Sequence, residues 1–294
     1  MAIESLPLSA VRATLEKGRS PWSLLPPMTA IGLLFYYPLS LIVSQALTSN
    51  SGAWSIAVAR RTLTSRLFRR ALARTLEIAL SSTAGCLLLG LALALVVSFV
   101  PFRGAALLAR TVDAFLAFPS FLIALALTFL YGSAGIINAG LMALMHTSVA
   151  PLDFLYSPAG VILAEITFYT PFAMRPLLAG FATVRREQLE IASSLGAGPG
   201  RIVREIILPA AVPALLAGGS LCLLLTLNEF GIVLFISAKG VITLPMLIYE
   251  KAIQEFDYSA ACVIALVDIA LSLTLYALYR LLLARSRGGD AAAL

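Results

Sequence analysis

An all-α integral membrane protein with about six transmembrane helices is expected from three features of this chain. Of its 294 residues, 60% are hydrophobic and only 12% charged, and the mean hydropathy is +0.95. That balance lies far from the mixture of a soluble domain. Uncharged or nearly uncharged stretches recur at the length a membrane demands, since a hydrocarbon core of roughly 30 Å takes about 20 residues of helix. Charged connectors separate these stretches, and little chain remains once they are set aside. The chain has no room for a nucleotide-binding domain and holds no Gly-x-x-x-x-Gly-Lys-Ser/Thr phosphate cradle.

Residues 1–22 are expected as a cytosolic amino-terminal segment, and the first span covers roughly 23–47. Within it Ser44-Gln45-Ala46 loosely resembles a cleavage site. The run is nevertheless longer than the roughly 7–15 residues of a signal core and contains Pro38, so it is expected to stay as a helix. Further spans are expected over roughly 78–100, 114–138, 157–181, 210–237 and 258–280. The fourth carries Glu165 and Arg175, the fifth runs past Glu229, and the sixth includes Asp268 to reach sufficient length. The apolar segment from Ile136 to Val149 is short and bounded by Gly132, Gly135 and Pro151, which suggests a partly embedded or interfacial stretch. Residues 23–284 thus make one transmembrane domain, and 285–294 a short tail.

A cytosolic amino terminus puts Arg103, Arg110, Arg185, Arg186, Arg201, Arg204 and the basic residues of both termini inside, in keeping with the positive-inside tendency. One connector opposes it. Arg60, Arg61, Arg66, Arg69, Arg70 and Arg74 all fall between the first and second spans, on the outside.

The loop over 185–209 is the most legible polar segment. Leu189, Ala192 and Leu195 form one apolar stripe, and Ile202, Val203, Ile206 and Ile207 another, with Gly196, Gly198 and Gly200 between them. Two small helices joined by a glycine turn are expected. Pro199 suits the first turn of the second, and Pro209 the start of the next span, because a helix start leaves the missing amide hydrogen unneeded. Such stripes at a membrane face need lipid headgroups or a protein to cover them. The spacing of Glu190, Ala192, Gly196, Ile206, Leu208 and Pro209 resembles the EAA loop of ABC importer permeases, which reads Glu-Ala-Ala, three residues, Gly, nine residues, Ile-x-Leu-Pro. Ile191 stands where that pattern has its middle alanine. The resemblance implies that this loop, Arg201 included, docks on a cytosolic ATPase and faces the compartment that holds ATP.

Enzyme readings find little support. Cys86, Cys222 and Cys262 fall in or beside spans at spacings matching no metal motif, and His146 is the only histidine. The cysteines read as small apolar packing residues. Glu165, Arg175, Asn228, Glu229 and Asp268 are candidates for the translocation pathway or a gate, because an ionisable group at membrane depth costs roughly 2.5–3.5 kcal/mol on insertion scales. Such groups face a partner or a wet cavity. In Asn228-Glu229-Phe230-Gly231 the glycine can bend or loosen the helix, whereas Ala217-Gly218-Gly219-Ser220 reads as a close helix contact.

Beyond the loop, Phe118-Pro119, Gly132-Ser133-Ala134-Gly135, Thr170-Pro171-Phe172, Asn228-Glu229-Phe230-Gly231 and Thr243-Leu244-Pro245 look like landmarks of type I importer permeases. Within that superfamily Gly160 through Thr167 and Gly218 through Lys251 are most similar to permeases assigned to 2-aminoethylphosphonate uptake. Permeases for ferric iron, thiamine, polyamine or sulfate share the architecture and stay open as alternatives. The resemblance implies a type I ABC importer permease fold in the bacterial inner membrane, without catalytic residues, metal, cofactor or nucleic acid. Its implied partners are a cytosolic ATPase dimer, a second permease subunit, identical or homologous, a periplasmic solute-binding protein and the bilayer. An ion-coupled secondary transporter is the alternative of another class, for which an inverted repeat would speak; the two halves show none.

Overall fold

The computed structural model describes residues 25–48 and 54–291, with side chains to residue 281. The segment 1–22, the start of the first expected span, Asn50 and the last three residues lie outside the described residues. Six segments are long and apolar enough to cross a membrane. The first is α1, Leu25–Ala46, in which one widened turn over Gly32–Tyr36 precedes Pro38. A turn with i→i+5 bonding absorbs the amide that proline lacks.

A short helix α2, Ala57–Thr64, leads to α3, Arg66–Phe99, whose start is capped by the Ser65 hydroxyl accepting from the Phe68 amide at 3.1 Å. Helix α4 is Ala105–Phe115, and α5 and α6, Ser120–Tyr131 and Ile136–Met145, together make the third membrane-length segment. The long helix α7 covers Pro158–Phe181, and α8 is Arg186–Ser194. Helix α9 runs from Pro199 to Leu227 with one widened turn over Val203–Ile207. After it come α10, Gly231–Ile236, α11, Leu244–Tyr249, prolonged by a widened turn over Glu250–Gln254, and α12, Tyr258–Ala291.

The core is a close triad of α3, α7 and α9, and small residues make it possible. Gly218 on α9 lies against the Ala173 backbone of α7, where an added Cβ would sit 3.0 Å from its Cα and carbonyl oxygen. On α3, a Cβ added at Gly90 would likewise lie 3.0 Å from the Ala173 Cβ of α7. Cys86 and Cys222 are buried there beside Ala164 and Ala173 in the largest apolar cluster. Without a hydrophobic drive between helices in lipid, such approach is what holds them. Large apolar side chains of α1, such as Leu33, Leu34 and Phe35, instead remain exposed, as a lipid-facing surface requires.

Three expected spans are differently cut. The stretch 114–138 is no single helix: α4 ends at Phe115, Pro119 starts α5, and the turn through Gly132 and Gly135 starts α6. Buried Asn138 closes that turn, donating to the carbonyls of Tyr131, Gly132 and Leu152 and accepting from the Leu152 amide at 2.9 Å. The apolar stretch after Ile136 is therefore a helix, and it stops where His146 adopts a left-handed conformation. The expected 210–237 helix is also broken, ending at Leu227 and resuming only at Gly231. Its start moves the other way. Pro209 begins no new helix, because the Leu208 amide bonds to the Val203 carbonyl across the widened turn and lets α9 continue through the proline. Finally, α3 begins at Arg66 rather than near 78, so Arg66, Arg69, Arg70 and Arg74 are helical residues.

Candidate functional site

The loop around Gly196 is closed by hydrogen bonds that its sequence calls for. At the end of α8 the Gly196 amide donates to the Ser193 carbonyl at 2.9 Å and the Ala197 amide to the Ala192 carbonyl at 3.0 Å. This is a Schellman ending, which needs a left-handed residue, and Gly196 supplies it with φ +85°. Apart from its immediate neighbours in the chain, no atom of the described residues lies within 4 Å of where a Gly196 Cβ would be, so the backbone conformation alone demands glycine within this subunit. Gly198 is extended and Pro199 opens α9, whose first turn is braced by the exposed Arg201–Glu205 ion pair at 3.1 Å.

Helix α8 shows its two faces unequally. Leu189 packs with Ile202 and Val203 on an apolar cluster built from Leu177, Phe181, Ile207 and Ala211. The edge-on rings of Phe99 and Phe181, 5.2 Å apart, tie that cluster to the end of α3. Leu195, expected in the same stripe as Leu189, is 84% exposed, because it follows the last helical residue, Ser194, and has left the helical conformation that would keep it on that stripe. Ile191, one turn earlier, is 61% exposed. Glu190 lies beside these, lining a cleft of about 840 Å³ together with Arg186, Leu189, Phe181 and Phe102. Ala192, Ile206 and Leu208 are half-buried, and Pro209 is exposed. An apolar pair on a polar, rigidly capped hairpin is suited to protein docking.

The second candidate is the break after α9. Glu229 is nearly buried, and its carboxylate accepts from the Ile232 amide at 2.7 Å, the Ser120 hydroxyl at 3.1 Å and the Tyr169 hydroxyl. One side chain thereby caps α10 and joins it to the start of α5 and the middle of α7. Three donors on one carboxylate make a high-stakes network in a low-dielectric setting. Ser120 and Tyr169 were not singled out by sequence, since a serine after Phe118-Pro119 and a tyrosine among aromatics carry no pattern of their own.

The other charges do not converge on it. Glu165, one turn before Tyr169 on α7, is 0% exposed, and neither carboxylate oxygen finds a partner among the described residues. Arg175 is exposed and paired with Asp113 of α4 at 2.9 Å, so it ties two helices rather than lying alone inside the span. Asn228 donates to the Leu224 carbonyl and to the Ser272 hydroxyl at 3.2 Å, linking α9 to α12. Asp268 is buried on α12, with one oxygen unpartnered among the described residues. No group of three His, Cys, Asp or Glu side chains with metal-holding geometry occurs among the described residues.

Known proteins resemble both the sequence and this geometry. The family described as binding-protein-dependent transport system inner membrane component matches residues 86–288. The putative 2-aminoethylphosphonate transport system permease protein PhnU of Salmonella typhimurium is 56% identical over 265 residues, covering 90% of this chain and 92% of that protein. A probable sulfate transport system permease protein of Nephroselmis olivacea is 30% identical, with 82% and 84% covered. Among solved structures, a bacterial ABC transporter involved in import of the acidic polysaccharide alginate aligns with TM-score 0.78 at 18% identity, covering 90% of this chain and 94% of that one. The last likeness is one of fold alone.

Proposed function

Because the chain belongs to the family of binding-protein-dependent transport system inner membrane components, we infer that it is the permease subunit of an importer for 2-aminoethylphosphonate. It is a multi-pass inner-membrane protein and a non-catalytic subunit of an ABC importer. The solute assignment is carried by the 56% identity to the Salmonella typhimurium permease along 90% of the chain. The partners in this reading are a cytosolic ATPase dimer seated on the loop around Gly196, a second permease subunit and a periplasmic solute-binding protein.

The geometry supports a direct mechanical link between loop and pathway. From Pro199 to Leu227 the chain is one helix of 29 residues, about 43 Å at 1.5 Å per residue. It starts in the capped loop and ends at the break where Glu229 holds α5, α7 and α10 together. A shift of the loop when the ATPase subunits close is then carried along a stiff rod to that three-way contact. The pathway changes state only if ATP and the loaded binding protein each favour one arrangement over the other.

The test is uptake by the assembled transporter, co-produced with its ATPase, second permease and binding protein in a strain lacking other phosphonate importers. Radiolabelled 2-aminoethylphosphonate should enter in an ATP-dependent way, with sulfate and putrescine as competitors showing no effect. Uptake of sulfate or putrescine instead would reassign the solute. ATP-independent uptake by this chain alone would remove the importer reading.

A further inference from the structure

The end of the molecule opposite the Gly196 loop carries an unexplained charge. Arg60 and Arg61 on α2 and Arg66, Arg69 and Arg70 on α3 are all exposed, and none has a carboxylate partner among the described residues. Arg74 alone is paired, with Glu77 at 2.7 Å. Of the other acids at this end, Glu255 is held by Lys251 at 2.6 Å and Asp257 caps the Ala260 amide at 3.1 Å, while Glu250 forms no ion pair with these arginines. Exposed arginines left unpaired on the outward face run against the charge rule for membrane loops, so they call for an anionic counterpart outside the chain.

Helix length says where that counterpart lies. Helix α3 has 34 residues, about 51 Å at 1.5 Å per residue, against a hydrocarbon core of roughly 30 Å. Phe99 packs into the cluster under the Gly196 loop, beyond the hydrocarbon edge, so the surplus of about 21 Å is shared by the two ends, about 10 Å at each. Arg66, Arg69 and Arg70 then stand at the depth of the lipid headgroups. Trp54 and Ile56, 76% and 73% exposed just before α2, add bulky apolar groups at the same end of the molecule. Tryptophan, apolar and basic side chains gathered at one end suit a membrane interface rather than an aqueous face. Beside them opens a cleft of about 430 Å³ between α3 and the chain at Gly240, with Leu67 and Ile242 as apolar walls; Arg70 is its unpaired cation, since Arg74 is neutralised there by Glu77.

We propose that this arginine face binds the phosphate of anionic phospholipid in the outer leaflet, with Arg66, Arg69 and Arg70 as the principal contacts and the Arg70–Gly240 cleft receiving the headgroup. The outward placement rests on the importer reading, which sets the Gly196 loop in the cytosol. The lipid contact itself is measured on the chain, independently of transport.

Native mass spectrometry of the purified chain from nanodiscs made with phosphatidylglycerol and phosphatidylcholine reads the lipids retained. A basic residue at a membrane surface is worth on the order of fivefold in binding, so the Arg66→Gln/Arg69→Gln/Arg70→Gln variant should lose at least about tenfold of its preference for phosphatidylglycerol. The triple lysine variant should recover most of it, and Arg103→Gln, at the opposite end, should leave it unchanged. Equal preference in wild type and the glutamine variant overturns the proposal. Displacement of the lipid by inorganic phosphate or 2-aminoethylphosphonate at constant ionic strength also overturns it, since the arginines would then read a free dianion. Unchanged lipid retention with weakened capture of the solute-binding protein would give the face to that protein instead. If no ATPase copurifies, the importer reading fails while the lipid result stands.

Discussion

Glu229 carries the heaviest duty of any single side chain here, because it caps α10 and receives hydroxyls from two other helices. Replacing it by alanine leaves those donors without an acceptor, at about 1–3 kcal/mol for each buried orphan. Glu229→Ala should therefore lower the amount of transporter in the membrane. Glu229→Gln keeps shape and an acceptor for the Ile232 amide while removing the charge, so abundance should stay near wild type while uptake falls. Immunoblots of membrane fractions beside radiolabelled uptake separate the two, and wild-type uptake in the glutamine variant would exclude the charge from the cycle. Gly196 is tested by conformation rather than bulk. Its φ of +85° costs a branched or long residue about 1–2 kcal/mol, whereas asparagine tolerates it. Gly196→Asn should retain coupling between loaded binding protein and ATP hydrolysis, and Gly196→Leu should lose it. Equal loss in both would mean that a partner surface, not the turn, excludes a side chain. The glycine was legible in the sequence because spacing marked it. Ser120, Tyr169 and Asn138 were not, because their partners are distant in sequence and a hydroxyl or amide on an apolar helix has no periodic signature.

Helices were foreseen in number better than in extent, and the reason is local. Hydropathy counts apolar residues without regard to where the backbone stops, so 114–138 read as one span although Pro119 and the Gly132–Gly135 turn divide it. The same blindness joined α9 to α10 across Asn228–Phe230, where the Glu229 carboxylate replaces helical bonding. Pro209 misled in the opposite direction, since a widened turn let α9 pass through it. Where sequence did foresee packing is the small-residue run at Ala217–Ser220, because close approach leaves no room for side chains. Gly218→Val should push α9 from the Ala173 backbone and cost about 1–3 kcal/mol. Gly140 on α6 has nothing within 4 Å of a new Cβ, so Gly140→Ala should be neutral or slightly stabilising. Thermal melts of the detergent-purified chain check both, with a lowered midpoint expected only for Gly218→Val. Similar melts for the two would remove the glycine contact as a determinant of the triad.

Six membrane-length helices, the loop cluster at one end and the arginines at the other fix a polarity for the whole chain. A cysteine at Gly198 should label only from the cytosol, and one at Asn50, outside the described residues, only from the periplasm. Labelling of both positions from the cytosol would remove an odd number of crossings between them and reverse the outward placement of the arginines. The same polarity bears on energy supply. The chain has no phosphate cradle of its own, and one continuous helix, α9, runs from the loop that bears the exposed Ile191 and Leu195 to the break at the Glu229 contact. An ion-driven carrier would need its coupling site within the span, where Glu165 is the natural candidate, and would have no use for a docking hairpin. The two mechanisms respond oppositely to paired changes. If ATP closure drives the cycle, Ile191→Asp/Leu195→Asp should abolish capture of the ATPase and reduce uptake at least tenfold, while Glu165→Gln leaves the dependence on ATP intact. If an ion gradient drives it, the hairpin variant transports normally and a proton or sodium ionophore stops uptake with ATP still present. Proteoliposomes loaded with ATP and treated with ionophore decide between them, and persistence of uptake under ionophore together with its loss in the hairpin variant is the expected result.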